Sequence, residues 1–483
     1  MSKQNSFDIT FFSVLIFVIF TIVSQDALSE TLDLDQFLMQ VSEKNESIEA
    51  SKSKSQGSEL RSLEGDHLTA TSFFTEAQIT TDERQTANPS FQGSKTTLQN
   101  YKLGFSQPTR WGSQLKLYYG LTSTEIAGAS PLFIKTPTFH DAYPTLELSQ
   151  SLWSNAFGIS TRAQQKMLES SAKATAFAES YRVKQELYSA EIVYWRLAVA
   201  REIVKVQTGA IERAEKIKEW NNKRVKLNLA DRSDLLQSEA ALKLRKLEFK
   251  AAQDEERAAS QSFNLARNLN SSKVEELLSL PDPKKVITVS LPDRVEMRED
   301  VRAAEQSMEV AAASSDVNRH KTLPNLELFG SYARYWRDAD RKEAMSNVWR
   351  PDHPLWVAGL RFNAPLDFFD SADIREGAIK EKYGAEKAYH RKLLEQEVEW
   401  TDLKTKLEEL KSRLELSVIL EDAQLEKITH EKKRLEKGKT TTYQALLFEQ
   451  DYSQSQLTRL QYQLQVLQAA AQLKLFGGKR ESR

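Results

Sequence analysis

Apolar residues recur along this chain with two different periods, and prolines separate the regions that use each. Tyr188, Ile192, Trp195, Val199, Ile203, Val206 and Ala210 are spaced 4, 3, 4, 4, 3 and 4. Leu403, Leu407, Leu410, Leu414, Val418, Glu421 and Leu425 repeat those spacings with one polar exception. Such steps average about 3.67 residues, an eleven-residue repeat rather than a heptad. Leu457, Leu460, Leu464, Leu467 and Ala471 follow at 3, 4, 3 and 4, an ordinary heptad seam. No proline lies between Pro144 and Pro281 or after Pro365, and glycine is scarce in both intervals. These stretches therefore predict long helices over about 162–226 and 371–436, each followed by a returning helix. The helix pairs span about 162–270 and 371–475. Rods of roughly 100 Å at 1.5 Å per residue are too long for one globular core.

The proline-rich intervals alternate with period two instead. Phe73, Thr75, Ala77 and Ile79 alternate with polar neighbours, as do Leu326, Leu328 and Tyr332, Leu146 and Leu148, and Val357, Leu360 and Phe362. Strands are expected at about 71–82, 144–152, 325–337 and 355–366. The two halves align, with Phe73 on Leu326 and Leu146 on Leu360, so the chain reads as a tandem duplication. Their offsets differ because the first half carries an insertion. It contains Tyr101, Leu103 and Phe105 in alternation, then a Pro108…Gly112 turn, then Leu115, Leu117, Tyr119 and Leu121. It reads as an extra hairpin at about 98–123.

One apolar run breaks both patterns. Residues 9–23 follow Lys3 and precede Ala27-Leu28-Ser29, which suits a signal peptide over 1–29. The first structural repeat then covers 30–283, the second 284–478, and 479–483 is a short tail. The full chain of 483 residues carries 67 Lys and Arg against 68 Asp and Glu, which argues against a basic nucleic-acid-binding face. It contains no cysteine, which excludes disulfides, thiolate sites and Cys-linked lipidation. With 28% charged residues and a mean hydropathy of −0.54 it is no multi-span helical membrane protein, but a membrane β-barrel passes that test.

The helix reversals are visible too. Arg224 to Leu229 precedes Asp231-Arg232-Ser233-Asp234, and Arg434 to Lys439 precedes Thr440-Thr441-Thr442. Asn228 and Gly438 tolerate the left-handed conformation that ends a helix, and Asp or Thr beyond them can cap the return. Four segments, in this order and spacing, resemble the outer-membrane efflux (TolC) family over about 31–478. They are NNKRVKLNLADRSDLLQSEAAL, LPNLELFGSYA, GLRFNAPLDF and KRLEKGKTTTYQALLFEQDYSQSQLTRLQYQLQVLQAA. The resemblance implies an α+β membrane protein, a trimeric transmembrane β-barrel continued by a long periplasmic α-helical barrel. It implies a passive exit duct of a tripartite efflux or type I secretion system. Its partners would be a homotrimer's other copies, outer-membrane lipid, a periplasmic adaptor and an inner-membrane RND, ABC or MFS pump, with no nucleic acid. It places the adaptor-docking tips at Leu227, Asn228 and Leu229 and at Lys437, Gly438 and Lys439, and the periplasmic aperture at Asp234 and Gln444.

The chain departs from that pattern at the second turn. The family's acids fall on Gln444 and Leu447 here, and its Tyr–Arg pair on Leu435 and Thr440, so only Asp234 can form an acidic ring. The extra hairpin predicts a barrel wider than the usual twelve strands. His67, His140, His320, His353, His390 and His430 show no metal-site spacing, and there is no phosphate-binding glycine loop or catalytic triad. No catalytic residue, cofactor or metal site is expected. Trp111 and Trp153, at strand ends, suit a membrane interface or ordinary packing. A periplasmic coiled-coil adaptor or scaffold stays open as the alternative; a decorated secreted hydrolase would need a catalytic constellation.

Overall fold

The computed structural model describes residues 31–350 and 353–477. The apolar segment read as a signal peptide and the tail at 479–483 lie outside the described residues. A short strand β1 (Thr31–Leu32) opens the chain, followed by helices α1 (Leu34–Lys44), α2 (Glu46–Arg61) and α3 (Glu64–His67). Then come β2 (Ser72–Asp82), a one-turn α4 (Pro89–Gln92), β3 (Lys95–Pro108), β4 (Ser113–Ala127) and β5 (Thr138–Ser151). The long α5 (Ile159–Lys226) reverses into α6 (Arg232–Ala266), and β6 (Leu277–Leu278) pairs in parallel with β1. After α7 (Pro283–Ile287) the order repeats: α8 (Glu299–Lys321), β7 (Asn325–Arg334), β8 (Trp336–Asp338), α9 (Arg341–Asn347), β9 (Pro354–Asn363), α10 (Phe368–Glu436) and α11 (Thr442–Leu473). At 68 and 69 residues, α5 and α10 are about 100 Å long.

The six main strands form one antiparallel sheet in the order β2-β3-β4-β5-β7-β9, with β8 alongside β5. The inserted hairpin, at Lys95–Pro108 and Ser113–Ala127, therefore lies inside the sheet and is longer than the 98–123 read from sequence. β5 likewise begins at Thr138, ahead of the expected 144. Pro144 can sit inside it because the neighbouring chain breaks there. Ala333 faces Thr145 and Trp336 faces Ala142, so no ladder bond on that side is asked of the proline nitrogen.

The helices meet in a core around the middle of α5. Phe37, Val41, Tyr194, Leu197, Phe263, Leu407, Leu414, Val466 and Phe476 are buried together, with Phe37 stacked on Phe263 at 4.2 Å. Leu403, Leu407, Leu410 and Leu414 are buried as the stripe predicts, whereas Leu425 at its end is 45% exposed. On α5 one stripe proves too narrow. Tyr194 and Leu197, off the predicted seam, are completely buried because α1, α2, α6, α8 and α11 all pack on this helix.

A buried ion cluster ties the start of α8 to α10. Arg298 donates from Nε and Nη2 to Asp300 at 2.6 and 2.8 Å and from Nη1 to Glu399 at 2.8 Å. Its guanidinium also lies over Phe476. Burial pushes the Asp300 carboxyl up, but the Arg298 hydrogen bonds and charge outweigh it and hold the group below its ordinary value. A carboxylate with a depressed folded pKa contributes stability above its unfolded pKa, near 3.9, and loses it as pH falls through the folded one. Asp300→Asn is therefore expected to cost about 3 kcal/mol at neutral pH and to flatten the acid limb of a melting-temperature profile below about pH 4. An unchanged acid limb would remove this cluster from the account.

Candidate channel wall and helical tips

The register separates the sheet into two unlike faces. Phe73, Phe105, Leu117, Leu146, Tyr332 and Trp356 lie opposite one another across successive strands, with Leu103, Leu115, Leu148, Leu328, Leu360 and Phe362 on the same side. All twelve are exposed by 36% or more. The charges on this face, Lys95, Glu125, Arg334 and Asp338, sit at the end far from the helices. The opposite face carries ionic rungs. Lys102 pairs with Glu76 at 3.4 Å, Arg361 with Glu327 at 3.1 Å, and Tyr118 donates to Glu147 at 2.7 Å. A sheet whose one face is apolar and, over the part nearer the helices, uncharged, while the other is polar, is built to separate hydrocarbon from water.

At the helix end of the sheet the exposed aromatic and apolar groups continue as a girdle. Trp111, Trp153, Phe157, Leu366, Phe368 and Phe369 are all solvent-facing there, Phe369 at 86%. The interface reading of Trp111 and Trp153 fits this placement. The turn of the inserted hairpin is clamped to this junction. Gly158 has φ +75°, and a Cβ on it would come within 1.9 Å of the Arg110 carbonyl oxygen. Arg162 donates to that same carbonyl at 3.3 Å, and Arg110 pairs with Asp66 in α3.

The opposite ends of the long helices carry two turns built alike. Asn228 and Gly438 both have positive φ, 57° and 66°. The Leu229 amide donates to the Arg224 carbonyl at 2.8 Å and the Lys439 amide to the Arg434 carbonyl at 2.9 Å. Arg224 and Arg434 then return a guanidinium bond to the carbonyls of Leu229 and Lys439. Thr441 caps α11 by accepting from the Gln444 amide, while Asp234 lies in the first turn of α6. No neighbour lies within 4 Å of a Cβ at Gly438, so Gly438→Ala should cost about 1 kcal/mol of backbone strain and nothing in packing. A thermal melt unchanged within error would contradict this.

The aperture residues Asp234 and Gln444 do not contact each other through their side chains. Asn221, which the sequence reading did not single out, joins their turns. It is fully buried, donates to the Asp234 carbonyl at 3.3 Å and accepts from Thr442 Oγ1 at 2.9 Å. Two turns further along, Arg213 Nε donates to the buried Glu449 at 2.5 Å and its guanidinium lies over Tyr452. These contacts flank a cavity of about 630 Å³ between α5, α10 and α11, whose lining includes Trp220, Leu425, Ile428 and Tyr452. Burial pushes the Glu449 carboxyl above its ordinary value, against the pull of Arg213. Among the described residues no helix is long and apolar enough to cross a membrane, and no side-chain cluster is arranged to hold a metal ion.

The sequence profile of the family described as outer membrane efflux protein matches residues 293–479, which contain the second pair of strands, α10 and α11. Over that segment the sequence is similar to outer membrane efflux proteins. Solved structures extend the likeness, as one of fold, across both halves. The outer membrane protein VceC of Vibrio cholerae superposes with a TM-score of 0.66 at 14% identity, covering 92% of this chain and 96% of that one. The CmeC outer membrane channel of Campylobacter jejuni gives 0.67 at 14%, covering 93% and 87%. The open state of the MtrE outer membrane channel of Neisseria gonorrhoeae gives 0.64 at 14%, covering 93% and 90%. No curated protein matches the sequence. Those solved structures are of outer-membrane channels, and the likeness to them is one of fold.

Proposed function

We propose that three copies close into one duct, a transmembrane barrel continued by a helical tunnel, which passively carries cargo out from an inner-membrane pump. A periplasmic adaptor would dock at the tips, and the pump would be of the RND, ABC or MFS class, in drug efflux or type I secretion. The observation that carries this reading is a seam left open on matching sides. At the sheet end the helices neighbour one another in the order α2-α5-α8-α10, and α2 leads into β2 while β9 leads into α10. The free strand edges β2 and β9 therefore continue the free helix edges α2 and α10. A bilayer tolerates neither strand edge unpaired, and β2 and β9 run antiparallel, so identical copies can close a ring head to tail.

The absence of cysteine makes the test clean. Glu76→Cys on β2 is combined in turn with Val357→Cys, Gly359→Cys and Arg361→Cys on β9, and outer membranes are oxidised. One register should give a covalent band of three chains that reduction dissolves. Recovery of uncross-linked single chains from the soluble periplasm would support a scaffold instead.

A further inference from the structure

We infer that the inserted hairpin sets the bore of the membrane barrel, widening the outlet until it matches the helical tunnel beneath it. The inference rests on the three-copy reading above, and its geometry comes from how strands and helices are joined. Four strands are each joined to one helix of the wall: β2 to α2, β5 to α5, β7 to α8 and β9 to α10. β3 and β4 have no helix of their own. They leave the helical wall unchanged and raise the strand count per chain from four to six, which is eighteen in three copies.

The consequence is a matter of circumference. Strands about 4.8 Å apart and tilted about 40° give a backbone radius of about 12 Å for twelve strands and about 18 Å for eighteen. Twelve helices packed side by side at 8–10 Å give roughly 15–19 Å. At a common tilt the hairpin thus adds about 6 Å to the barrel radius and brings it within the range of the helical wall. The lumenal surface fits an open bore. Tyr143 and Phe329 lie flat against Gly120 and Gly359, where a Cβ would come within 2.1 and 2.6 Å of the rings. Both rings face the polar side of the sheet and are folded onto the wall. The hairpin is also seated as wall and not as a loose flap. Its Leu103, Phe105, Leu115 and Leu117 continue the apolar face between Phe73 and Leu146, and its turn bridges Asp66 to Arg162. Cargo as wide as the helical tunnel can therefore leave without a second size filter in the membrane.

The full chain, reconstituted in planar bilayers, is compared with a variant lacking residues 95–127, using polyethylene glycols of graded size added on the side of the strand loops. The excised variant should exclude polymers that the full chain admits, its cut-off radius falling by roughly 6 Å. Equal cut-offs would overturn the inference. If the excised variant does not assemble, single cysteines in the intact chain decide. Lys102→Cys and Lys116→Cys should label with a hydrophilic maleimide in intact outer membranes, and Leu103→Cys and Leu117→Cys only after detergent. Equal labelling of both faces would put the hairpin outside the wall and end this inference, while the β2–β9 cross-link would still stand or fall by itself.

Discussion

Arg213→Ala is expected to destabilise the tip by about 3 kcal/mol, whereas Glu449→Gln should cost nearer 1 kcal/mol. The asymmetry follows from where each partner sits. Glu449 keeps 2% of its side-chain surface in water and Arg213 keeps 32%. Removing the arginine strands a carboxylate in the wall between α5 and α11. Removing the acid's charge leaves a cation that water can still reach, and a glutamine that can still accept from Ser453, whose Oγ lies 3.3 Å away. The pH dependence has a definite sign. Burial raises the folded pKa of Glu449, so the folded state binds the proton more readily than the unfolded one. This group's effect on stability therefore becomes less favourable as pH rises from the ordinary carboxyl value through the folded one. Without Arg213 to oppose burial, that fall should be steeper. Helical melting followed by circular dichroism from pH 4 to 8 measures both effects. Equal losses in the two variants, or a flatter profile for Arg213→Ala, would refute the argument.

The residues that hold the tips illustrate what the sequence did and did not disclose. The long helices were legible because apolar stripes at spacings of 3 and 4 persist over many turns without proline. The strands were legible where Leu, Phe and Tyr alternate with polar residues, and β2 and β7 begin within a residue of expectation. Asn221 and Glu449 were hidden by the same logic. Asn221 continues the buried series Gln207, Ala210 and Ala214 at helical spacing, past a half-buried Ile217, and Glu449 lies between Ala445 and Tyr452 on the buried side of α11. A search for apolar periodicity stops at polar residues, although a polar residue in a buried stripe is the one that must find a partner across the interface. Pro144 misled in the opposite direction. It marks a strand end by local rules, and only the break between β7 and β8 makes it acceptable inside a strand. The two turns, read locally, were found because left-handed residues and caps act within a few positions. Their linkage through Asn221 spans 221 residues and leaves no local trace.

Charge reversal at the second tip, Lys437→Glu with Lys439→Glu, is expected to cut export at least tenfold while the protein still folds and reaches the outer membrane. Residues 223–234 and 431–444 together hold nine Lys and Arg against four Asp and Glu, in a chain whose overall net charge is −1. Lys437 and Lys439 are exposed and make no ion pair with an acidic residue among those described, so their replacement removes only about 1 kcal/mol each of favourable interaction with the end of α10. The first tip presents Leu227 and Leu229 instead, 68% and 62% exposed. Two turns with the same backbone thus offer different chemistry, one apolar and one basic. An adaptor that docks on both needs an acidic surface for one and an apolar seat for the other. Charge reversal should slow association and make the remaining activity rise with salt, because rim charges act chiefly on encounter. Leu227→Ser with Leu229→Ser should weaken the docked complex without that salt response. Efflux-dependent growth of cells carrying only the variant reads the first effect. Co-purification of the cognate adaptor at two ionic strengths separates the second. Full export by the charge-reversed protein would show that the basic tip is a solvated helix end and that docking lies elsewhere on the rods.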